Sequence, residues 1–413
     1  MVNCEYVNTK KGDIQKMMKI LQINSFNNGS TGKIMLAISD KTKNNGMLPF
    51  IAYPKSKTND KKHLDDAIII GNILSRSMHR ILGFLTGFND FFSIITTLNF
   101  IKKIKKKNPD VIHLHNLHSC YLNIIILFIF LKKYKKPVVW TLHDCWAFTG
   151  GCTHYSGSSN YKNEIFYYNS NYNDYPKTLF NNQKLMFLLK RKIFSNIDNM
   201  TLVVPSYWLK SKVNNTFLRN YPVKVINNGI NLNIYKPTKS NFREKYNLTK
   251  KIIILGVSNS WSDKKGLDIF IKLSQCLESN YQIVLVGISK SQNKDIPKNI
   301  LCISNTANEI ELVKIYSAAD VLINPSKLET MGMITVEALA CGVPVIVSNK
   351  TAVPEMVDSS CGIIINGKGH LPYLEEIKSG FWRNITKKQC ITWANRFDSS
   401  VKYAEYINLY KSL

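Results

Sequence analysis

Short apolar runs recur along this chain, and each is followed by a longer amphipathic stretch. The first opens at Met18, where Lys19-Ile20-Leu21-Gln22-Ile23-Asn24 reads as a buried strand. A glycine-containing loop follows, and the spacing predicts a helix from Lys33 to Lys43. Further strand-like runs occupy 110–114, 137–142, 201–205 and 223–226. After a polar stretch over 231–250, a second series falls at 252–257, 281–286, 300–303, 321–324 and 344–347, with helices expected over 267–279, 309–318 and 335–340. Alternation of this kind predicts βαβ units and mainly parallel sheets. At 413 residues the chain exceeds one ordinary core. The economical reading is therefore α/β, with two doubly wound domains joined by a linker at Tyr235-Lys236-Pro237. The expected partition is an appended segment over 1–17, a first domain over 18–232, a second over 233–383, and a closing helix over 384–413, where Tyr403, Tyr406 and Tyr410 recur at helical spacing. Ligands bind such sheets beyond the carboxyl ends of their strands, and two facing domains make a cleft there.

One segment breaks the alternation. Residues 72–107 combine Ile73, Leu74, Met78, Ile81, Leu82, Phe84 and Leu85 with Arg76 and Arg80, and end in Lys102-Lys103-Ile104-Lys105-Lys106-Lys107. A basic amphipathic element of this type suits an anionic membrane surface, and equally a core-facing helix with a solvated basic end. Charge adds to the first reading: 55 Lys and Arg against 28 Asp and Glu give a formal net charge of +27. Such a surface attracts polyanions, whether nucleic acid, anionic lipid or phosphorylated small molecules. No basic–aromatic recognition element accompanies the charge, so no specific nucleic-acid partner is expected. The apolar run from Asn123 to Leu131 is too short to cross a bilayer. With no signal-like start and nine scattered cysteines lacking any C-x-x-C pair, the chain reads as cytoplasmic, soluble or peripheral on the inner face of the plasma membrane.

Chemistry concentrates in four places. In Asn324-Pro325-Ser326-Lys327-Leu328-Glu329-Thr330-Met331-Gly332-Met333-Ile334-Thr335-Val336-Glu337, a buried strand ends in an acidic loop and a helix carrying a second acid. Backbone N–H groups around Met331, Gly332, Met333 and Ile334 are unpaired helix-start donors, which suit an anion. Carboxylates on either side, Glu329 and Glu337, fit a ligand whose phosphates lie between two hydroxylated rings. Upstream, Gly256-Val257-Ser258-Asn259-Ser260-Trp261-Ser262-Asp263-Lys264-Lys265-Gly266 delivers paired lysines after a strand, where they stabilise a departing diphosphate. The loop Asn27-Asn28-Gly29-Ser30-Thr31-Gly32 allows close backbone approach to phosphate or sugar at Gly29 and Gly32. The fourth place is His113-Leu114-His115-Asn116-Leu117-His118 with Trp140-Thr141-Leu142-His143-Asp144-Cys145-Trp146-Ala147-Phe148-Thr149-Gly150-Gly151-Cys152. Zinc is a rival use of His113, His115, His118, Cys145 and Cys152, but residues 153–176 supply no further cysteine.

The glutamate block, the following Ala338 to Ile346 and the lysine loop resemble glycosyltransferase family 4, whose donor signature is two glutamates separated by seven residues. The Thr141-Leu142-His143-Asp144-Cys145-Trp146 run resembles a branch of that family working in colanic-acid, exopolysaccharide and capsule assembly. The resemblance implies the GT-B architecture: two facing Rossmann-like domains, an interdomain cleft and a last helix returning to the first domain. It implies retaining transfer of a sugar from a UDP- or GDP-linked donor to a glycan hydroxyl, with the departing phosphate taking the acceptor's proton and no metal required. Within it, His143, Lys265 and Glu329 are assigned to catalysis. Gly29, Gly32, Lys264, Lys265, Glu329, Met331, Gly332, Met333, Ile334 and Glu337 are assigned to the donor. His115, His118 and Asp144 are assigned to the acceptor side. The chain departs from the family in carrying Asn259 where many members have arginine, leaving Lys264 and Lys265 to supply the charge. The branch implies an acceptor carried on a lipid diphosphate. The alternatives are a basic nucleic-acid-binding protein and a sugar-nucleotide epimerase on a related fold.

Overall fold

The computed structural model describes residues 6–8, 14–56, 59, 67–170 and 176–413, so most of the appended segment lies outside the described residues. The chain forms two compact units, one of residues 1–226 with 403–413 and one of residues 227–402.

The first unit is built on a seven-stranded parallel sheet. Its strands are β1 (Lys19–Ile23), β2 (Leu48–Pro54), β3 (Ala67–Ile70), β4 (Val111–Leu114), β5 (Val138–Thr141), β6 (Met200–Val204) and β7 (Val223–Val225). They lie in the order β7-β6-β5-β4-β1-β2-β3. Strands β2 and β3 were not among the apolar runs singled out above. Helix α1 (Gly29–Asn44) starts within the glycine loop itself, ahead of the expected Lys33. Both faces of the sheet are covered, which is why β4, β5 and β6 are buried along their whole length. One face carries the cluster around Leu21, Phe128, Trp140 and Phe194, and the other the cluster around Ile34, Ile38, Val139 and Val203.

The segment over 72–107 folds as two helices, α2 (Ile73–Thr86) and α3 (Ile94–Lys107). Helix α3 turns Phe100, Ile101 and Ile104 into the core and its lysines outward. Helix α2 does the reverse. It buries Arg76, His79 and Gly83 and leaves Ile73, Leu74, Met78, Ile81, Leu82, Phe84 and Leu85 exposed. The core-facing reading thus holds for α3 and fails for α2. Helices α4 (Ile124–Lys133), α5 (Gln183–Phe194) and α6 (Tyr207–Asn214) complete the unit, together with the C-terminal part of a helix over Ser399–Ser412. From that last helix Tyr403, Tyr406 and Tyr410 are buried in the first unit's core.

The second unit holds a six-stranded parallel sheet: β8 (Ile252–Val257), β9 (Tyr281–Val286), β10 (Ile300–Ile303), β11 (Val321–Asn324), β12 (Val345–Ser348) and β13 (Gly362–Ile365). The order is β10-β9-β8-β11-β12-β13, so the sheet reverses direction of growth between β8 and β11. Helices α7 (Leu267–Cys276), α8 (Glu309–Ala318), α9 (Met333–Ala340), α10 (Leu371–Ser379) and α11 (Lys387–Ala394) flank it. Ile385, Cys390, Ala394 and Phe397 are buried in this unit's core, so 384–402 belongs here rather than to a closing helix alone.

The loops beyond β8 and β9 touch backbone to backbone. Gly287 has φ +91°, and a Cβ there would lie 1.6 Å from the carbonyl oxygen of Ser258. Replacing Gly287 with Ala therefore forces both strain and displacement, and is expected to destabilise the chain by about 3 kcal/mol or more. A urea midpoint unchanged from wild type would contradict that packing.

Candidate functional site

In the second unit the loops leaving β8 and β11 emerge side by side at the reversal point, the place where doubly wound sheets bind ligands. They are fastened to each other. The Lys327 amide donates to the Lys264 carbonyl at 2.8 Å. Gly266 holds φ +75° with the Pro325 ring where a Cβ would sit, at 2.6 Å. The loops bring together two residues separated by 64 positions: Lys265 Nζ lies 2.6 Å from Glu329 Oε1. The ammonium and carboxylate are each partly shielded, and each fixes the other's rotamer. Behind them, the Glu329 amide donates to Thr351 Oγ1 at 2.9 Å. Lys264 stands beside Lys265, half-buried.

Gly332 follows with φ +88°, and no atom lies closer than 3.6 Å to its would-be Cβ. Glycine is thus required there by the dihedral angle and not by crowding. Met333 and Ile334 form the first turn of α9, half-buried, while Met331 is buried and its sulfur accepts from the Asn228 amide. Glu337 is held apart from the lysines, in the second turn of α9, where the Tyr316 hydroxyl donates to its Oε2 at 2.8 Å. Burial, and then the Glu337 charge, raise the Tyr316 phenol well above its usual range and push the Cys341 thiol up to about 12. Both stay protonated, and the Tyr316 hydroxyl donates to Glu337.

In the first unit His115, His118, His143 and Asp144 converge from the loops after β4 and β5. His115 Nδ1 and His143 Nε2 lie 2.9 Å apart, so at least one ring is neutral. The other nitrogen of His115 reaches the amide oxygen of Gln22 at 3.0 Å. A proton on that nitrogen makes Nδ1 the acceptor, so His143 Nε2 donates and Nδ1 of His143 is left in its acceptor form. His113 stacks on His115 and is fixed by the Tyr410 hydroxyl at 2.6 Å and Thr141 at 2.8 Å. Burial holds His113 and His115 well below the usual imidazole range and brings His143 down to about 4. His118 Nε2 meets Asp144 Oδ2 at 3.0 Å, and the second Asp144 oxygen accepts the Trp146 amide. Burial opposes ionisation of Asp144, but the His118 contact and that amide bond hold it below its ordinary value.

At Gly29 the backbone has φ +66° with nothing within 4 Å of a would-be Cβ, whereas Gly32 is packed 2.5 Å from the Asn27 backbone. Gly29 therefore offers an open approach, and Gly32 closes the turn. His113, His115, His118, Cys145 and Cys152 do not bring three ligand atoms together. Cys145 and Cys152 are buried thiols, and the one His/Cys/Asp/Glu group with ligand atoms within 4.8 Å among the described residues is His79, Asp90 and Cys120.

Several residues of this region escaped the sequence reading. Lys190 is fully buried, donates to the Trp146 carbonyl at 2.7 Å and sits 3.6 Å from its ring centroid. Burial lowers it to about 7. Its signal was present: Lys190 falls on the same helical face as Met186, Phe187 and Phe194, a position where a lysine is rarely left. Asp90 is also buried, in a left-handed backbone conformation that its carboxylate stabilises by accepting the Cys120 amide.

The histidine cluster makes a pH prediction. His143 titrates near 4 in the fold and near 6.5 unfolded, so between these values the unfolded chain binds the extra proton. Stability from this group is complete above pH 6.5 and drains away as pH falls through about 4, by up to about 3 kcal/mol. A His143→Gln variant should therefore lose less melting temperature than wild type across that window. Identical slopes would overturn the assignment.

Two family models match consecutive stretches of the chain, Glycosyltransferase Family 4 over residues 76–234 and Glycosyl transferases group 1 over 238–372. A protein of the cps region of Klebsiella pneumoniae is 25% identical over 327 residues, covering 76% of this chain and 82% of its own. An Escherichia coli protein bearing the name colanic acid biosynthesis glycosyl transferase WcaC is 24% identical over 367 residues, covering 85% and 86%. Among solved structures, sucrose-phosphate synthase of Thermosynechococcus elongatus superposes with a TM-score of 0.69 at 15% identity, covering 96% of this chain and 98% of its own. HepE of Anabaena, in complex with UDP and glucose, gives 0.65 at 16% identity, covering 96% and 100%. With its two doubly wound parallel sheets and its paired glutamate and lysine loops, the chain belongs to glycosyltransferase family 4 and has the GT-B fold.

Proposed function

We propose that this enzyme is a retaining glycosyltransferase that moves a sugar from a nucleotide diphosphate sugar to a hydroxyl of a lipid-linked glycan in bacterial surface polysaccharide assembly. The observation that carries the donor half is the Lys265–Glu329 pair at the sheet's reversal point, with the start of α9 beside it. On donor binding, the diphosphate takes the Lys265 ammonium together with Lys264 and the N–H groups at Met333 and Ile334. Glu329 then turns its carboxylate to the sugar hydroxyls, and Glu337, held by the Tyr316 hydroxyl, takes the ribose. The nucleotide is uridine or guanosine diphosphate; the UDP complex of HepE supports the first.

The bond from the anomeric carbon to the diphosphate oxygen breaks as the acceptor oxygen bonds to the same face of that carbon. The acceptor's proton passes to the departing phosphate oxygen. His143, a neutral imidazole with an acceptor nitrogen, is assigned to a hydroxyl of the transferred sugar, and the His118–Asp144 pair to the acceptor hydroxyl. The lysines and helix-start amides supply the charge stabilisation for which other transferases use a metal, so activity is expected in chelator. The polysaccharide setting rests on the WcaC and cps-region relatives.

A thermal-shift series with UDP, GDP, ADP and CMP is expected to single out one diphosphate, and Glu337→Ala to abolish its shift. Lys265→Ala should lower kcat by about 10²–10³. Full turnover in that variant sinks the assigned role. The matching nucleotide sugar, radiolabelled in its sugar and supplied with this protein and membranes of a polysaccharide-producing bacterium, should pass label into the organic-extractable fraction; label confined to water-soluble product would refute the lipid-linked acceptor.

A further inference from the structure

Metal-binding chemistry converges at one place among the described residues, away from the residues assigned above. His79, Asp90 and Cys120 come from α2, from the turn between α2 and α3, and from the loop after β4, and one ligand atom of each lies within 4.8 Å of the others. His79 and Asp90 are buried and Cys120 is half-buried. The Asp90 carboxylate accepts the Cys120 amide at 3.0 Å, which ties two of the three together. Nδ1 of His79 meets the Ser93 hydroxyl at 2.8 Å. Its Nε2, on a residue 1% exposed, has no hydrogen-bond partner among the described residues. A polar nitrogen enclosed in this way is costly to leave alone. With Nδ1–H donating to Ser93, Nε2 presents a lone pair, the form in which histidine ligates a metal. Asp90, Ser93, Ser119 and Cys120 also hold left-handed backbones, with φ of 69°, 60°, 92° and 58°. Helix α2 itself buries Arg76, His79 and Gly83 and no apolar side chain, so little else fastens it.

We infer that His79 Nε2, an Asp90 carboxylate oxygen and the Cys120 sulfur bind one zinc ion, which ties α2 to the loop after β4. Nitrogen, oxygen and sulfur in one set suit zinc, whereas magnesium and calcium take oxygen. Tetrahedral zinc with bonds of about 2.0–2.3 Å keeps its ligand atoms about 3.3–3.8 Å apart, so the three close by about 1.5 Å at most. The charges also balance. Burial pushes the Cys120 thiol up to about 12, raises Asp90 and brings His79 down to about 4, which holds all three toward uncharged forms until an ion arrives. On binding, the thiol proton and any proton on the carboxyl leave to solvent, and one thiolate and one carboxylate cancel the ion's two charges. Arg80 and Arg76 favour the ionised thiol, as His118 and Lys190 favour the ionised Asp90. Asp90 and Cys120 line a cavity of about 1160 Å³, which gives the ion an entrance and leaves its fourth position to water. The sugar transfer proposed above takes no step through this ion.

The test uses the full chain, stripped with chelator and then titrated with Zn²⁺ or Co²⁺. One ion per chain is expected to bind, to raise the melting temperature and, as Co²⁺, to give a near-ultraviolet thiolate-to-cobalt absorption band. Cys120→Ala and His79→Gln should each weaken binding by about hundredfold or more, and Ser93→Ala, which unpins the ring, by about tenfold. A cooperative melting transition certifies that each variant folds, and Cys120→Ala, at the half-buried position, carries the test if His79→Gln does not. Exposed Cys276, 3.9 Å from His370, offers a rival site, and Cys276→Ser should bind as wild type does. Loss of the band in Cys276→Ser with survival in Cys120→Ala would overturn the inference. So would a stripped chain whose melting temperature Zn²⁺ leaves unchanged, or one that Mg²⁺ stabilises equally.

Discussion

Both large parallel sheets in this protein are covered on their two faces by helices, and that burial dictates where chemistry is possible. A strand such as β4 or β11, enclosed along its length, has no side chain to offer a ligand until it ends. The carboxyl-end loops are left as the places where polar groups meet solvent, and the loops flanking a reversal of strand order diverge enough to admit a ligand. Here the two loops at the second unit's reversal do not merely lie near one another. A backbone hydrogen bond and a glycine–proline contact join them, so that a lysine from one and a glutamate from the other form a pair. The pair is partly exposed, so its worth to stability is small. Its value is positional: the lysine and the glutamate hold each other in place where the two loops meet.

The first unit uses burial in the opposite sense. Where the second unit keeps charges at the rim, the first collects three imidazoles in a dry stack and suppresses their protonation. Desolvation, helped by His118, opposes an imidazolium at His143 by more than the Asp144 charge favours it. The neutral ring is the cheaper state, and it is the form that accepts a hydrogen bond from a hydroxyl. Lys190 under Trp146 adds to the same picture, since a full positive charge there is opposed by burial and only partly answered by Asp90, Cys152 and Asp144.

Much of this was legible beforehand. Strong β runs and glycine-ended loops announced two parallel sheets, and the glutamate and lysine blocks announced the loops that meet beyond β8 and β11, because period and motif are local properties. What was not legible depended on partners far away in sequence. The amphipathic stripe of α2 is plain in the chain, but its facing is decided by what the sheet leaves room for, and the sheet took Arg76, His79 and Gly83. The contact between Lys265 and Glu329 requires β11 to lie beside β8, a fact of strand order that no spacing encodes. Strands β2 and β3 passed unnoticed because their runs are interrupted by proline or flanked by residues too polar to frame them. The helix of the glycine loop began earlier than expected because Gly29 accepts a left-handed turn at its start.

The last helix has a consequence for how the molecule is made. His113, in the middle of the first sheet, shares a hydrogen bond with a tyrosine 297 residues downstream, and Thr141 lies 3.3 Å from the hydroxyl of Tyr406. The second unit, by contrast, is one uninterrupted stretch from 227 to 402. As the chain leaves the ribosome, the later unit acquires all of its sequence before the earlier one does. The first unit must wait with a gap in its core and a buried histidine unanswered, its slowest contact also its most distant. The histidine stack is therefore completed only by residues that follow the whole of the second unit along the chain.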